Sequence, residues 1–237
     1  MDSTWKFSTK LLGEIMPIIS SVSGNFSPVG RSRKPFNLAT GGNTVVDIAN
    51  YNSTGQIWRV HTFTSDGTFS VMTNLDQFRI MLVGGGGAGG GADGARHSQG
   101  GEGGYGSDSL NDLSLGSNSV TIGGGGAAVG WGYAGSRGGT GGTTSIGALS
   151  VSGGLGGYFP SHGEAGATRG VSSNIVNGST SVQYGRGGQA IASTSNWGAN
   201  TGGGGYAGYT TAGGAPGTMH QGGGGNTGIV VISYRVA

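Results

Sequence analysis

The chain contains no cysteine, which excludes disulfides, thiolate catalysis and cysteine-ligated zinc. Charge is scarce too: 12 basic and 10 acidic side chains in 237 residues leave a formal net charge of +2. The one basic cluster, Arg31, Arg33 and Lys34, reads as a solvated linker, so nucleic acid is not an expected partner. No run approaches the roughly 18 apolar residues of a spanning helix. Asp2 and Lys6 precede only short apolar runs, so neither membrane insertion nor a signal peptide is expected. Hydrophobic residues make up 34% of the chain, below the roughly 45–50% of globular proteins. A large conventional core is therefore not expected.

What the chain has instead is glycine. All but seven of its 58 glycines (Gly13, Gly24, Gly30, Gly41, Gly42, Gly55 and Gly67) lie between Gly84 and Gly228, with runs of four at 84–87, 123–126, 202–205 and 222–225. Glycine costs about 0.5–1 kcal/mol relative to alanine inside a helix or strand, so no long helix is expected here. The extended polyproline II form has three residues per turn and no internal hydrogen bonds, so its amides need partners on neighbouring segments. Glycine segments approach closely enough to supply them, and 84–228 is expected to form a bundle of polyglycine II strands. The stretch carries few charges, whereas disordered segments combine low hydrophobicity with high charge. A strict collagen-like register is absent and only Pro160 and Pro216 are prolines there.

The expected fold is all-β, with a small sandwich-like scaffold from about 45–83 and 228–236 holding that bundle. Ile57, Arg59, His61 and Phe63 alternate with Trp58, Val60 and Thr62, and Ser65-Asp66-Gly67 supplies a hairpin turn before Thr68 to Met72. Phe78 to Val83 reads as a buried strand running into Gly84, and the β-prone Ile229 to Val236 is expected to pair with it or share its sheet. Inside the stretch, 119–122, 144–152 and 181–184 each read as a strand feeding a glycine strand. Residues 1–45 differ: Trp5, Phe7, Leu11, Leu12 and Ile15 recur at near-helical spacing until Pro17 stops the pattern, and prolines and serines follow. This reads as an attachment or assembly arm, with 46–237 as the glycine-rich domain.

Motifs for chemistry are weak. Gly84 to Gly89 satisfies GxGxxG, but the helix that a dinucleotide site requires cannot be built from the glycines that follow. No glycine precedes a lysine, so a phosphate-binding GxxxxGK[ST] is absent. His97, His162 and His220 are scattered singly, without metal-ligand spacing. No cofactor, no metal and no catalytic group is expected. Asp108 with Asp112, or Glu102 with Glu164, are the acid pairs from which a glycan depolymerase would have to be built. More informative are the aromatics between glycine runs. Trp131 and Tyr133 fall near Arg137, Tyr158 and Phe159 near His162, Tyr206 near Tyr209, and Trp197 between Asn196 and Asn200. Rings beside amide and guanidinium donors suit glycan surfaces, and these nine residues are the receptor-binding candidates. The same rings also suit caps on the glycine layers or subunit contacts.

The order His61-Thr62-Phe63-Thr64-Ser65-Asp66-Gly67-Thr68-Phe69, then Ile80 to Gly87, Val120-Thr121-Ile122-Gly123, Thr144-Ser145-Ile146-Gly147 and Gly228 to Tyr234 resembles the glycine-rich domain of bacteriophage minor tail proteins. The likeness is greatest to those of phages infecting mycobacteria and related actinobacteria, and it covers about residues 57–236. The resemblance implies a virion component at the tail tip or a tail fibre, extracellular once released. It implies a homotrimer bound to other tail proteins, with host recognition of a surface glycan or glycolipid as its task and no catalytic residues to carry over. A purely architectural tail-tip subunit is the alternative, and an envelope depolymerase a second one.

Overall fold

The computed structural model describes residues 38–73, 77–91, 98–129, 136–158, 164–189, 200–205, 207 and 222–236. The chain divides into two units, 1–36 and 37–237; Trp5, Phe7, Leu11, Leu12 and Ile15 of the expected arm lie outside the described residues. Residues 38–45, the last part of the span expected for that arm, belong to the second unit, where Ala39 and Thr40 are paired as a strand.

The described residues form an all-β fold whose only helical piece is a single 3-10 turn at Tyr51–Ser53. One five-stranded sheet has the order β2 (Thr44–Ile48), β3 (Trp58–Phe63), β12 (Ile229–Arg235), β5 (Phe78–Val83), β6 (Gly106–Asn111). The second has the order β1 (Ala39–Thr40), β4 (Gly67–Val71), β7 (Gly116–Thr121), β8 (Thr144–Ile146), β9 (Leu149–Val151). A separate pair, β10 (Ser172–Ser173) and β11 (Val182–Gln183), completes the set. Successive strand residues face opposite sides, and the apolar residues of β5 and β12 sort accordingly. Phe78, Ile80, Leu82, Val230, Ile232 and Tyr234 enter the core against Phe69, Val71, Val120 and Ile146 of the second sheet. Met81, Val83, Ile229 and Val231 face Ile175 and Tyr184 on the other side. Burial on both faces is why β12 opens with the unbroken apolar run Ile229-Val230-Val231-Ile232.

Two polar groups brace this body. His61 is 1% exposed; its Nδ1 lies 2.7 Å from the Gly41 carbonyl and its ring stacks on Tyr234. Burial pushes its imidazole below the ordinary value, and the bond to Gly41 partly opposes this. On the outer face, Arg79 donates to both oxygens of Asp108 (2.9 and 2.6 Å), to the Tyr51 hydroxyl (3.0 Å) and to Asn174 Oδ1 (2.8 Å). It thereby clasps the 172–184 segment to the sheet.

Three sequence expectations change. The scaffold is not confined to 45–83 and 228–236, since β6 to β9 come from inside the glycine-rich stretch. Ser65-Asp66-Gly67 is not a hairpin: β3 pairs with β2 and β12, whereas β4 pairs with β1 and β7 in the other sheet. The turn is a corner that lets Phe63 and Phe69 meet edge-on from opposite sheets, with Asn43 Oδ1 accepting the Thr64 amide and Asp66 Oδ1 accepting that of Ile122. Residues 144–152 are two strands, folded back at Gly147, whose φ of 53° is one that residues with a side chain rarely adopt.

Between the strands, the described glycine segments are neither helix nor strand, and their amides bond to one another across the bundle. Thread 84–91 shows the rule. Gly84, Gly87 and Gly90 donate to Tyr105, Glu102 and Gln99; Gly85, Ala88 and Gly91 donate to Gly142, Gly139 and Ser136; Gly86 and Gly89 donate to Asn226 and Gly223. The partner thread recurs every third residue, and falling partner numbers make each pairing antiparallel. Its carbonyls accept from Gly154, Gly126, Gly205 and Gly157, which belong to three further threads. These six neighbours also bond around the ring: 98–105 to 152–158, 152–158 to 136–142, 136–142 to 123–128, 123–128 to 222–228, 222–228 to 202–205, and 202–205 back to 98–105. Threads 164–170 and 185–189 lie outside this ring, bonded to 98–105 and to each other. Close approach requires glycine here: a Cβ at Gly86, Gly101 or Gly103 would fall closer than 3.0 Å to a neighbouring backbone carbonyl.

Candidate functional site

The direction of each thread fixes two ends. Threads 84–91, 123–128, 152–158, 185–189 and 202–205 run away from the sheets, and 98–105, 136–142, 164–170 and 222–228 return. At the sheet end Tyr105 donates to Ser152, Gly142 to Gly124, and Gly228 to Gly123. At the far end Gly91 donates to Ser136, Gln99 to Tyr158, Gly100 to Glu164, and Ala207 to Gln189. The chain enters the domain at Leu38, whose carbonyl accepts from Met72, beside the Val71–Gly116 pair that lies at the opposite pole of the sandwich.

Of the nine receptor candidates, Arg137 and Tyr158 are described. They sit at the far end of adjacent threads, where Arg137 Nε donates to the Gly156 carbonyl at 3.1 Å and Tyr158 is 54% exposed. Trp131, Tyr133, Phe159, His162, Trp197, Tyr206 and Tyr209 lie outside the described residues. The described positions Ser136, Tyr158, Glu164, Gln189, Ala207 and Gly222 that flank their segments belong to the far end, whereas Asn200, which follows the Trp197 segment, belongs to the sheet end, where its Oδ1 accepts from Thr227 Oγ1.

A second group was missed by the sequence reading. Threads 98–105, 136–142 and 152–158 carry Gln99-Gly-Gly-Glu102-Gly-Gly-Tyr105, Arg137-Gly-Gly-Thr140-Gly-Gly-Thr143 and Ser152-Gly-Gly-Leu155-Gly-Gly-Tyr158. With a period of three, the residues that carry side chains form one row on each thread. Most are exposed, while the intervening glycines are mostly buried. The three threads are mutual neighbours through 152–158, so the rows lie side by side on one flank. The signal was present as short X-Gly-Gly runs, which a search for one register along the whole stretch passes over.

The acids considered for depolymerisation are otherwise engaged where their partners are seen. Asp108 accepts from Arg79 and from Ser173, and Glu102 accepts from Arg169 at 2.9 Å. The Arg169 guanidinium also lies 5.7 Å over the Tyr105 ring, and the bond it donates to Glu102 raises its pKa. Among the described residues, no group of three or more His, Asp or Glu side chains is placed to hold a metal ion. No family model matches the chain, and no curated protein matches it.

Proposed function

We propose that this chain is a non-enzymatic structural and receptor-binding protein of a bacteriophage tail, of the glycine-rich minor tail kind that its sequence resembles. In this reading the glycine segments of 84–228 are polyglycine II strands. The support is the recurrence of each hydrogen-bond partner every third residue, the repeat expected of a form with three residues per turn. Residues 1–36 then act as the attachment arm towards other tail proteins. The loops between threads carry the aromatic candidates and contact a host-surface glycan or glycolipid. Three copies compensate for weak individual sites through avidity.

One observation carries the reading: the thread ends that flank the segments of Trp131, Tyr133, Phe159, His162, Tyr206 and Tyr209, and the one that leads into the Trp197 segment, gather at one pole, whereas the chain enters the domain at the other. A rigid bundle with this polarity separates an anchoring end from a displaying end. The test is adsorption of phage carrying Trp131→Ala together with Trp197→Ala. The expected outcome is normally assembled virions that no longer adsorb. Normal adsorption removes both residues from the receptor site, and failure to assemble favours the architectural alternative.

A further inference from the structure

We infer that the flank built from the X-Gly-Gly rows is a lateral binding site for an extended, uncharged polysaccharide, which takes in Arg137 and Tyr158 at the far end but runs from there down the side of the bundle to Tyr105 at the sheet end. The inference rests on the adhesin reading for its ligand class but not for its location.

The rows are a consequence of the lattice. Gly100, Gly101, Gly103 and Gly104 on one thread, and Gly153, Gly154, Gly156 and Gly157 on its neighbour, each place a hypothetical Cβ closer than 3.0 Å to backbone atoms of other threads. Side chains are therefore admitted at every third position only, about 9 Å apart along the row at a rise of about 3.1 Å per residue. The two rows run antiparallel, because Gln99, Glu102 and Tyr105 donate their amides to Tyr158, Leu155 and Ser152. Tyr158 and Tyr105 thus stand at opposite ends of the flank, roughly 19 Å apart along it by the same rise. Both rings are accessible, at 54% and 40% exposure, with Leu155 at 42% between them.

The chemistry of this surface selects the ligand. Its only carboxylate, that of Glu102, is paired with Arg169, and Arg137 is tethered to a backbone carbonyl. Arg137 keeps its charge in that bond, so the flank carries one net positive charge, too little by itself to select a polyanion. Exposed rings with hydroxyl tips, flanked by the Gln99 amide and the hydroxyls of Thr140, Thr143 and Ser152, offer apolar faces beside hydrogen-bonding groups, which is what the two faces and rim of a sugar ring require. A second copy of the chain suits the surface less well, since interface cores are depleted of charged residues and Leu155 is the one aliphatic side chain here. Two rings so far apart cannot both engage a short ligand. Length dependence is therefore the signature of the site.

The test is titration calorimetry of the full chain with maltooligosaccharides and chitooligosaccharides of two and six sugars, with polygalacturonate as a polyanion. The expected result is that one neutral hexasaccharide binds at least about tenfold more tightly than its disaccharide, the effect of engaging one further aromatic anchor. Tyr105→Ala and Tyr158→Ala should each abolish that gain with an unchanged melting temperature, and Tyr158→Trp should retain it. Equal affinity for both lengths, tighter binding of polygalacturonate, or full binding by both alanine variants overturns the inference. So does loss of self-association in the alanine variants, which would make the flank a contact between copies. If the length dependence is absent while Trp131→Ala/Trp197→Ala phage still fail to adsorb, the lateral site falls and the adhesin reading stands.

Discussion

Two glycine-to-alanine substitutions in contacting regions of the bundle should move stability in opposite directions. Gly86 lies in the central thread, donating to Asn226 and accepting from Gly126, both at 2.8 Å. A methyl there would overlap the Gly203 carbonyl group, which belongs to backbone and cannot rotate away. Relief requires one thread to shift, weakening two hydrogen bonds worth about 1 kcal/mol each and adding an overpacking cost of about 1–3 kcal/mol. Restricting the unfolded chain returns about 0.4–1 kcal/mol. Gly86→Ala should therefore destabilise by about 3 kcal/mol, lowering the melting temperature by roughly 6–12 °C for a domain of this size. Gly124 is the counterpart: its carbonyl accepts from Gly142, yet a Cβ there meets nothing within 4 Å and its φ is not among the positive ones. Gly124→Ala should stabilise by about 0.4–1 kcal/mol, raising the melting temperature by about 1–4 °C. Ala88, fully buried in the same central thread, shows that the cost is set by the carbonyl facing each position and not by centrality. Differential scanning calorimetry of both variants decides the matter. In a flexible tether the two substitutions would act alike, so equal shifts, or a Gly86→Ala variant within about 2 °C of wild type, refute the lattice argument.

Other predictions follow from the polar braces. Because burial holds the His61 imidazole below its ordinary pKa, its contribution is complete above about pH 6.5, the unfolded value. It is lost as the pH falls from there towards the folded pKa, since the unfolded chain then binds the extra proton. Denaturation at pH 7.5 and 5.0 should show that loss, and His61→Phe should reduce it. Asp47, held below its ordinary value by the hydrogen bond from Arg59, adds a separate loss only below about pH 4. Arg79→Met strips Asp108 of its bidentate partner; with the two side chains 22% and 9% exposed, the cost should be about 2–4 kcal/mol in urea denaturation. Asp108→Leu added to Arg79→Met should recover part of it. In hydrogen exchange, the amides of Gly85, Gly86 and Gly101 should be as protected as those of β5, because each has a partner on another thread; exchange at free-peptide rates would contradict the lattice.

The sequence by itself determined a good deal of this protein. The phase of β3, with His61 and Phe63 turned to the sandwich core and Val60 to the other side, follows from alternation. The pairing of Ile229–Arg235 with Phe78–Val83 follows from two apolar runs that each need burial on both faces. Exclusion of long helix from 84–228 follows from glycine alone. The side-chain rows were written there too, in X-Gly-Gly runs whose meaning depends on three residues per turn. Only the tertiary structure decided which thread bonds to which, because glycine has no side chain with which to mark a partner and every amide offers the same donor and acceptor. The address comes from the strands that hold the thread ends: β6 beside β5 sets 98–105 against 84–91, and β9 and β8 do the same for 152–158 and 136–142. The same reason explains why the Ser65–Gly67 corner read as a hairpin. Local turn chemistry fixes a reversal of direction, but which sheet receives the next strand depends on Phe63 and Phe69 meeting across a core that no local stretch contains.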